Sequence, residues 1–227
     1  MSRLFSIMNK PQTNSTEINI EGLSISVETV SNIDDLFEEL LKKGDDHEDV
    51  RDEKIPYWAD LWPSAIALSN FIVRNKLVQS GSKVLELGCG IGLPGIVAGK
   101  MGAQVVFTDY IQEALDLAKV NWSRNNNLDA EFVLMDWRNP LQAFKADIIL
   151  ASDIAYEKKS FEHLLRAFRI LLHSTGKMFV SEPNRAFSQS FFKEMEDHGF
   201  KVNSSSEKIV FRNQTYLIHV HEIMLNI

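Results

Sequence analysis

Residues 83–95 of the chain have the sequence KVLELGCGIGLPG. The mostly apolar residues 84–87 are typical of a buried strand. Gly88 and Gly90 in the loop allow backbone conformations and close approaches that a Cβ atom would prevent. Pro94 favours the first turn of a helix, where its missing N–H is not needed. A strand that enters a helix through such a loop places a ligand at the carboxyl end of a parallel sheet. The stretch therefore predicts an α/β fold with a ligand site at this loop.

Two kinds of cofactor fit the glycines of this loop. Residues 90–95 match G-x-G-x-x-G, the fingerprint that brings a dinucleotide pyrophosphate onto a helix N-terminus. The loop begins earlier, however, as E-x-G-x-G-x-G at residues 86–92. A carboxylate just before the turn is a poor neighbour for a pyrophosphate and a good one for a cation. An NAD-dependent Rossmann oxidoreductase is therefore the less favoured alternative.

The longer pattern resembles motif I of the class I (seven-β-strand) S-adenosylmethionine-dependent methyltransferases. In that family the acidic residue and the glycine loop surround the amino-acid end of a cofactor that carries a sulfonium. The resemblance implies that the cofactor is S-adenosylmethionine and that Glu86, Gly88, Cys89 and Gly90 bind it. We interpret Cys89 as a small loop residue and not as a nucleophile, because no base is evidently arranged around it.

Acidic residues follow the next two predicted strands. Residues 103–109 form a short apolar strand that ends in Asp109, about 20 residues past the glycines, where a carboxylate can accept hydrogen bonds from ribose hydroxyls. Residues 130–134 form the third strand, which leads into Asp136 and Trp137. A carboxylate accepts from the exocyclic amine of adenine, and an indole offers a stacking face. The class I family commonly has an acid at this point, which supports S-adenosylmethionine. Each of these residues also has a purely structural alternative. Asp109 could cap the following helix, Asp136 could lie in a turn, and Trp137 could pack in the core.

The bulk properties of the chain limit its function classes. Its 227 residues fit one domain with a modest extension, and 44% of them are hydrophobic, enough for a sizeable core. The net charge of −7 argues against a non-specific nucleic-acid binder. We expect no transmembrane span, because no apolar run reaches the required length, and no signal peptide. The single cysteine excludes an intrachain disulfide and favours a cytoplasmic location.

The first part of the chain precedes these motifs. Residues 17–30 alternate between apolar and polar and predict a β-hairpin, and residues 32–43 predict a short amphipathic helix. Residues 45–53 are strongly acidic. They favour a solvated loop, and the alternative is an acidic rim that attracts a basic substrate segment. We assign residues 1–54 to an N-terminal extension and residues 55–227 to the methyltransferase domain.

An aromatic segment lies just ahead of motif I. Its pattern, Y-W-x-x-x-W-P at residues 57–63, resembles a segment of the protein-lysine methyltransferase branch, which includes the enzymes that act on electron-transfer flavoprotein β. The resemblance implies that Trp62 contacts the cofactor and that Tyr57 and Trp58 lie near the substrate entrance. The alternative is core packing, which is the usual place of large aromatic residues.

A second signature follows the fourth predicted strand, residues 146–152. Asp153 and Tyr156 form D-x-x-Y, which resembles the signature of the same branch. The resemblance implies that these two residues are catalytic and that Ser152 lies at the cofactor. Methyl transfer from a sulfonium needs a neutral amine, whereas a free lysine, with a pKa of about 10.4, is mostly protonated near neutrality. Asp153 could hold the amine by hydrogen bonds, and Tyr156 could offer it an oxygen or a ring face.

The protonation of the acceptor is left open by the sequence. A carboxylate alone raises the pKa of a neighbouring amine, so desolvation must also act, or the proton must leave to water. His219 and His221 alternate on the last predicted strand, where two histidines can bind a metal. No third ligand is near them in the sequence, so we interpret them as surface or satisfied residues.

These patterns together predict an α/β, Rossmann-like fold. Its seven-stranded, mostly parallel sheet has one antiparallel strand and helices on both faces, with a small N-terminal hairpin and helix as an extension. The predicted function is methyl transfer from S-adenosylmethionine to a lysine of a protein. The alternatives are a small-molecule amine or pyridine N-methyltransferase, the oxidoreductase, and a non-catalytic binding module. We expect a protein or a small amine as partner, and neither nucleic acid nor membrane.

Overall fold

The computed structural model describes residues 11–52, 54–155, 157–185 and 188–226. An antiparallel hairpin comes first, formed by β1 (Thr13–Ile20) and β2 (Leu23–Val30). The two residues between these strands, Glu21 and Gly22, both have positive φ angles, which a tight hairpin turn requires. The predicted hairpin is therefore confirmed, and it begins at Thr13.

Two helices follow the hairpin, α1 (Ile33–Lys42) and α2 (Glu48–Arg51). The second helix lies within the acidic residues 45–53, so the prediction of a solvated loop is wrong for its middle part. The carboxylate of Asp49 accepts hydrogen bonds from the Nζ atoms of Lys43 (2.6 Å) and Lys54 (2.7 Å). These bonds lower the pKa of Asp49 to about 2. The acidic stretch is thus partly helical and partly neutralised by its own neighbours.

Strands and helices then alternate through the rest of the chain, after a short 3₁₀ turn at Pro56–Ala59. In order they are α3 (Pro63–Arg74), β3 (Lys83–Leu87), α4 (Leu93–Lys100), β4 (Gln104–Asp109), α5 (Gln112–Asn125), β5 (Glu131–Leu134), β6 (Ala146–Ser152), α6 (Phe161–Leu171), β7 (Leu172–Glu182), α7 (Ser188–Asp197), β8 (Phe200–Phe211) and β9 (Gln214–Leu225).

The seven later strands form one sheet in the order β5-β4-β3-β6-β7-β9-β8. The five strands from β5 to β7 are parallel, and β9 runs antiparallel to both of its neighbours. The predicted fold class is confirmed. The strand order reverses between β3 and β6, and such a switch point opens a crevice at the carboxyl ends of the strands.

Alternate residues of the central strands face two different hydrophobic clusters. Val84 points to the side covered by α3, α4 and α5, whereas Leu85 and Leu87 point to the side covered by α6 and α7. This alternation follows from the period of two in a strand. Helices therefore cover both faces and leave the ends of the strands open for a site.

The N-terminal hairpin packs onto the same core. Ile20, Ile25 and Val27 are fully buried within the cluster that includes α3 and α5. The hairpin is thus joined to the sheet by apolar contacts, and the division of the chain at residue 55 stays a prediction. Within the described part of the chain, no helix has the length and apolar character needed to cross a bilayer.

Candidate active site

A cavity of about 530 Å³ lies at the carboxyl ends of β3, β4 and β6. Its volume is in the range of small-molecule and cofactor sites. Four stretches of chain form most of its wall, and Trp137 and Arg185 complete it. These stretches are the aromatic segment 55–65, the glycine loop 88–93, residues 109–111 and residues 152–157. Residue 156 is not among the described residues.

The glycine loop lines the floor of the cavity with bare backbone. Gly88 and Gly90 have φ angles of +64° and +50°. A Cβ atom on Gly88 would lie 3.0 Å from Cγ2 of Ile154, and one on Gly90 would lie 3.2 Å from the carbonyl oxygen of Trp58. At both positions, only glycine fits without a shift of neighbouring atoms. The loop therefore forms a cradle on which a ligand can approach the backbone closely.

Glu86 is not part of the cavity wall. Its side chain is buried beneath the loop, and Oε2 accepts a hydrogen bond from the backbone N–H of Gly95 at 2.8 Å. Oε1 has no hydrogen-bond partner among the described residues. Burial raises the pKa of Glu86 well above its ordinary value, against the opposing effect of the Gly95 bond. The structure thus gives Glu86 a contact with the first turn of α4, and its predicted contact with the cofactor stays a prediction.

Asp109 lies in the cavity wall, directly beside the glycine loop. Its Oδ2 accepts from the backbone N–H of Gly90 and its Oδ1 from that of Ile111, both at 3.0 Å. Burial raises the pKa of Asp109 to about 6, although the backbone hydrogen bonds favour the charged form. The backbone N–H of Tyr110 also bonds to this carboxylate, so three donors use three of its about four lone-pair sites and one is left for a ligand. Asp109 therefore organises the loop and still offers an acceptor to the cavity.

Of the predicted adenine pair, only Trp137 lines the cavity, and it also lines the adjoining cleft that holds Asp136. Trp137 lines the cavity, and its ring centroid lies 6.2 Å from that of Tyr110. Asp136 instead lines an adjoining cleft of about 330 Å³. Its two carboxylate oxygens accept from the backbone N–H of Arg138 at 2.8 Å and from Nε of Arg138 at 2.6 Å. The ring of Trp137 is thus placed to stack on a ligand, while the carboxylate of Asp136 is engaged by Arg138.

The mouth of the cavity is aromatic. Nε1 of Trp62 donates to the carbonyl oxygen of Tyr57 at 2.7 Å, and the two rings meet edge to face at 6.0 Å. Tyr57 is 51% exposed and Trp62 is 38% exposed, although both line the cavity. Trp58 is half-buried, lines the cavity and also packs against the core. The core-packing alternative therefore holds for part of Trp58, whereas Tyr57 and Trp62 form an open rim.

Ser152 and Asp153 line the opposite wall, at the end of β6. Asp153 has a φ angle of +55°, an unusual value for a residue other than glycine, and its N–H donates to the carbonyl oxygen of Ser181 at 2.7 Å. Its carboxylate forms a two-pronged ion pair with Arg185, in which Nη1 donates to Oδ1, and Nη2 to Oδ2 at 3.1 Å. Tyr156, the other predicted catalytic residue, lies outside the described residues.

Arg185 is a residue of the cavity wall that sequence reasoning missed. It follows β7, the neighbour of β6 in the sheet, within Glu-Pro-Asn-Arg at residues 182–185. The only feature of the sequence that could have indicated Arg185 is its place just after β7, because the carboxyl ends of adjacent parallel strands meet at the same edge of a sheet. Among the described residues that line the cavity, Arg185 is the only cation; it binds Asp153, and the same cavity is also lined by Asp60, Asp109 and Glu157.

Comparisons with known proteins identify relatives of the chain. The sequence profile of the lysine methyltransferase family matches residues 49–198. The protein N-lysine methyltransferase METTL21A of Xenopus tropicalis is 30% identical over 166 residues, which cover 69% of this chain and 77% of that protein. The histone-arginine methyltransferase METTL23 of Rattus norvegicus is 32% identical over 130 residues, 55% of this chain and 58% of that protein.

The solved structures show the same fold. Magnesium protoporphyrin IX methyltransferase (ChlM) from Synechocystis PCC 6803, solved with bound SAM, superposes with a TM-score of 0.58 at 17% identity. The superposition covers 86% of this chain and 92% of that chain.

The chain spans only about half the length of several curated relatives that it matches.

Proposed function

Because the chain belongs to the lysine methyltransferase family, we propose that it transfers a methyl group to the side-chain amine of a lysine in a protein. The family also confirms S-adenosylmethionine as the predicted cofactor. The observation that carries the proposal is the position of Asp153, whose side chain faces both the cavity and a surface groove. An acceptor that reaches Asp153 along the groove is thereby brought to the edge of the cofactor cavity.

The chain's own residues fit the cofactor. Gly88 and Gly90 leave a cradle that a Cβ atom would fill, which suits a ligand that lies against the backbone. Asp109 offers a carboxylate lone pair where a ribose hydroxyl needs an acceptor, and Trp137 offers a ring face for a base. When bound, the cofactor supplies an electrophilic methyl group on a sulfonium. We assign these residues to cofactor binding.

The groove favours an acceptor that is attached to a larger molecule. It has a volume of about 170 Å³ and shares Asp60, Trp62, Asp153 and Arg185 with the cavity. Its outer wall comes from the turn between β8 and β9, through Phe211 and Arg212. A lysine side chain can extend past Trp62 to Asp153 while its backbone stays in the groove. A free small amine would make no use of this surface.

The charge of the site suits a basic side chain. Among the described residues that line the cavity, four are carboxylates and one is a cation, so the site as a whole attracts a basic side chain. Asp153 then holds the amine by hydrogen bonds and directs its lone pair into the cavity.

We place the activity in the cytoplasm, a proposal that rests on the single, buried cysteine, Cys89.

Arginine is the second candidate acceptor. The carboxylate of Asp153 already binds a guanidinium with both of its oxygens, as it would bind a substrate arginine. The relative from Rattus norvegicus is named a histone-arginine methyltransferase. The site therefore has a geometry that a guanidinium can use, and the two acceptors must be told apart by experiment.

The test uses S-adenosylmethionine labelled on its methyl group. The purified protein is incubated with the label and a cytoplasmic extract, after which proteins and small solutes are separated and the labelled residue is identified by mass spectrometry. We expect label on lysine in one or a few proteins. We also expect its loss in Asp153→Asn, and its retention in the matched variant Asp197→Asn, whose residue is exposed on α7.

Each other result would replace the proposal. Label on arginine would select the second candidate, and label only in small solutes would indicate a small-amine methyltransferase. Full activity of Asp153→Asn would show that the acceptor binds elsewhere. Stabilisation by the cofactor without any transfer would indicate a binding module.

A further inference from the structure

The acceptor amine of a lysine has to lose a proton before it can react. Near neutrality its pKa of about 10.4 keeps it protonated. A bare carboxylate beside it would stabilise the ammonium form and raise that pKa further. The residue that positions the amine therefore opposes its deprotonation, unless another charge acts on the same place.

Arg185 supplies such a charge. Its guanidinium binds both oxygens of Asp153, and the side chain of Asp153 is only 12% exposed. The fixed positive φ angle of Asp153 and its backbone bond to Ser181 hold the carboxylate in place. The pair is thus oriented from both sides and is partly shielded from water, which strengthens its electrostatic effect.

The loop that carries Arg185 is tied to the core. Oε2 of the buried Glu182 accepts from the backbone N–H of Arg185 at 3.0 Å and from Oγ of Ser188 at 2.6 Å. Its Oε1 lies 3.5 Å from Nε2 of His221, which is itself buried on β9. Arg185 is therefore held over the cavity by a buried network and is not a loose surface cation.

The other charges around the pair have partners of their own. Asp60 binds both Nη atoms of Arg212 at 2.6 Å, and Glu157 lies 3.1 Å from Nζ of Lys159. The remaining titratable groups that face the cavity or lie beneath Arg185 come from the glycine loop, the end of β4, the aromatic rim and β7: Cys89, Asp109, Tyr110, Tyr57 and Glu182. None of these is a cation, so Arg185 alone balances Asp153 among the described residues.

From this geometry we infer that Arg185 is a positioning residue that keeps the acceptor amine neutral, an inference that rests on the proposed function. Bound to Asp153, it cancels the charge that would hold a proton on the amine. The carboxylate retains lone pairs that accept a hydrogen bond from the neutral amine and so direct the nitrogen. The guanidinium repels the ammonium form at the same time.

The proton and the electrons then have defined destinations. The ammonium group releases its proton to water as it enters the site. The nitrogen lone pair forms the new bond to the methyl carbon, while the carbon–sulfur bond breaks and its electron pair stays on sulfur. The methylated ammonium loses one further proton to water if it is to react again.

The contrasting role for Arg185 is that of a plug, which the substrate displaces from Asp153. The two roles predict opposite effects. Removing a plug would lower the KM and raise activity at every pH. Removing a residue that keeps the amine neutral would lower activity near neutrality and restore it at high pH.

The first test compares kcat/KM from pH 7 to pH 10 for the wild type, Arg185→Gln and Arg185→Lys, with a peptide from the protein substrate. For Arg185→Gln we expect the alkaline rise to move upward by about one pH unit, a loss of about tenfold near neutrality that shrinks toward pH 10. Arg185→Lys keeps the charge and should recover most of this loss. A pH-independent loss or a lower KM would overturn the inference, and equal melting temperatures would confirm that the variants are folded.

The second test needs no turnover. Binding of n-butylamine to the protein saturated with S-adenosylhomocysteine is measured by calorimetry over the same pH range. The wild type should bind more tightly as the pH rises, because it selects the neutral amine, whereas Arg185→Gln should lose this dependence. A wild type that binds the amine independently of pH, or not at all, would overturn the inference. If the expected binding is found but no protein lysine is methylated, the proposed protein substrate is wrong, while the selection of a neutral amine by Arg185 stands.

Discussion

The side-chain amide of Asn121 pairs with both backbone polar groups of Glu28. The N–H of Glu28 donates to Oδ1 at 2.6 Å, and Nδ2 donates to the carbonyl oxygen of Glu28 at 3.0 Å. The same Nδ2 lies 3.1 Å from the carbonyl oxygen of Ile91, in the glycine loop. One fully buried amide on α5 therefore joins the N-terminal hairpin to the cofactor loop.

Replacing this amide should destabilise the protein. Asn121→Ala leaves three backbone groups without their partner: the carbonyl of Ile91 is buried, where such a loss costs about 1–3 kcal/mol, and the two groups of Glu28 are part-buried and cost less. We expect the free energy of unfolding in urea to fall by about 2–4 kcal/mol. Asn127→Ala, at an exposed position beyond α5, is the control. A change in Asn121→Ala no larger than in the control would mean that the hairpin is held by its apolar contacts alone.

A methyl group at Gly95 should disturb both the core and the cavity. A Cβ atom there would lie 2.4 Å from Cε1 of Phe107 and 2.5 Å from Oε2 of Glu86, so α4 has to move away from the sheet. We expect Gly95→Ala to lose about 1–3 kcal/mol of stability and to bind S-adenosylhomocysteine more weakly. Lys100→Ala, at the exposed end of the same helix, is the control. Unchanged stability would mean that the sheet yields easily at this point.

Asp109 should make cofactor binding depend on pH. Its pKa of about 6 in the protein without ligand means that the carboxylate becomes neutral as the pH falls below 6, and a neutral carboxyl is a weaker acceptor for ribose hydroxyls. We expect the Kd of S-adenosylhomocysteine, measured by calorimetry, to rise between pH 8 and pH 5. Asp109→Asn should bind more weakly at pH 8 and show little dependence, whereas the exposed Asp116→Asn should behave like the wild type. Equal slopes in all three proteins would exclude Asp109 as the ribose ligand.

Glu86 should make folding stability depend on pH in a defined direction. Its pKa is raised in the folded protein, mainly by burial. The folded state therefore binds a proton more tightly than the unfolded state, and stability is lost as the pH rises from about 4.3, the unfolded pKa, through the folded one. Glu86→Gln is neutral throughout and lacks this loss.

The melting temperature of Glu86→Gln relative to wild type should consequently increase between pH 5 and pH 8. Because Asp109 is present in both proteins, its own titration largely cancels in the difference. A difference that stays constant over this range would show that Glu86 keeps its ordinary pKa. Affinity for S-adenosylhomocysteine is measured in parallel: a weaker affinity of Glu86→Gln would support the predicted contact of Glu86 with the cofactor, and an unchanged affinity would exclude it.

The local patterns of the sequence were sufficient for most of the fold. The helix predicted at residues 32–43 lies at Ile33–Lys42, and the strand predicted at residues 103–109 lies at Gln104–Asp109. Apolar periodicity and turn residues act within a few positions of the chain, so they are visible without the structure. The acidic residues 45–53 were less predictable, because α2 depends on ion pairs that Asp49 makes with Lys43 before it and Lys54 after it.

The site was harder to predict than the fold, because its contacts are long-range. Gly88, Asp109 and Asp153 each follow a strand and meet at one edge of the sheet. Arg185 reaches the same edge from β7, but nothing within its own segment marks it as a partner of Asp153. The side chain of Glu86 lies beneath α4, where its Oε2 accepts from the N–H of Gly95, and its predicted contact with the cofactor stays a prediction.

The insertion of β9 between β7 and β8 has a consequence for synthesis on the ribosome. β7 ends at Glu182, whereas its partner residues on β9 are His219 to Ile223. Until these residues have left the ribosome, the backbone N–H and C=O groups on one edge of β7 have no partner strand. An exposed strand edge is a template for pairing with other chains. A nascent chain that stops between α7 and β9 therefore leaves one edge of β7 open to pairing with other chains.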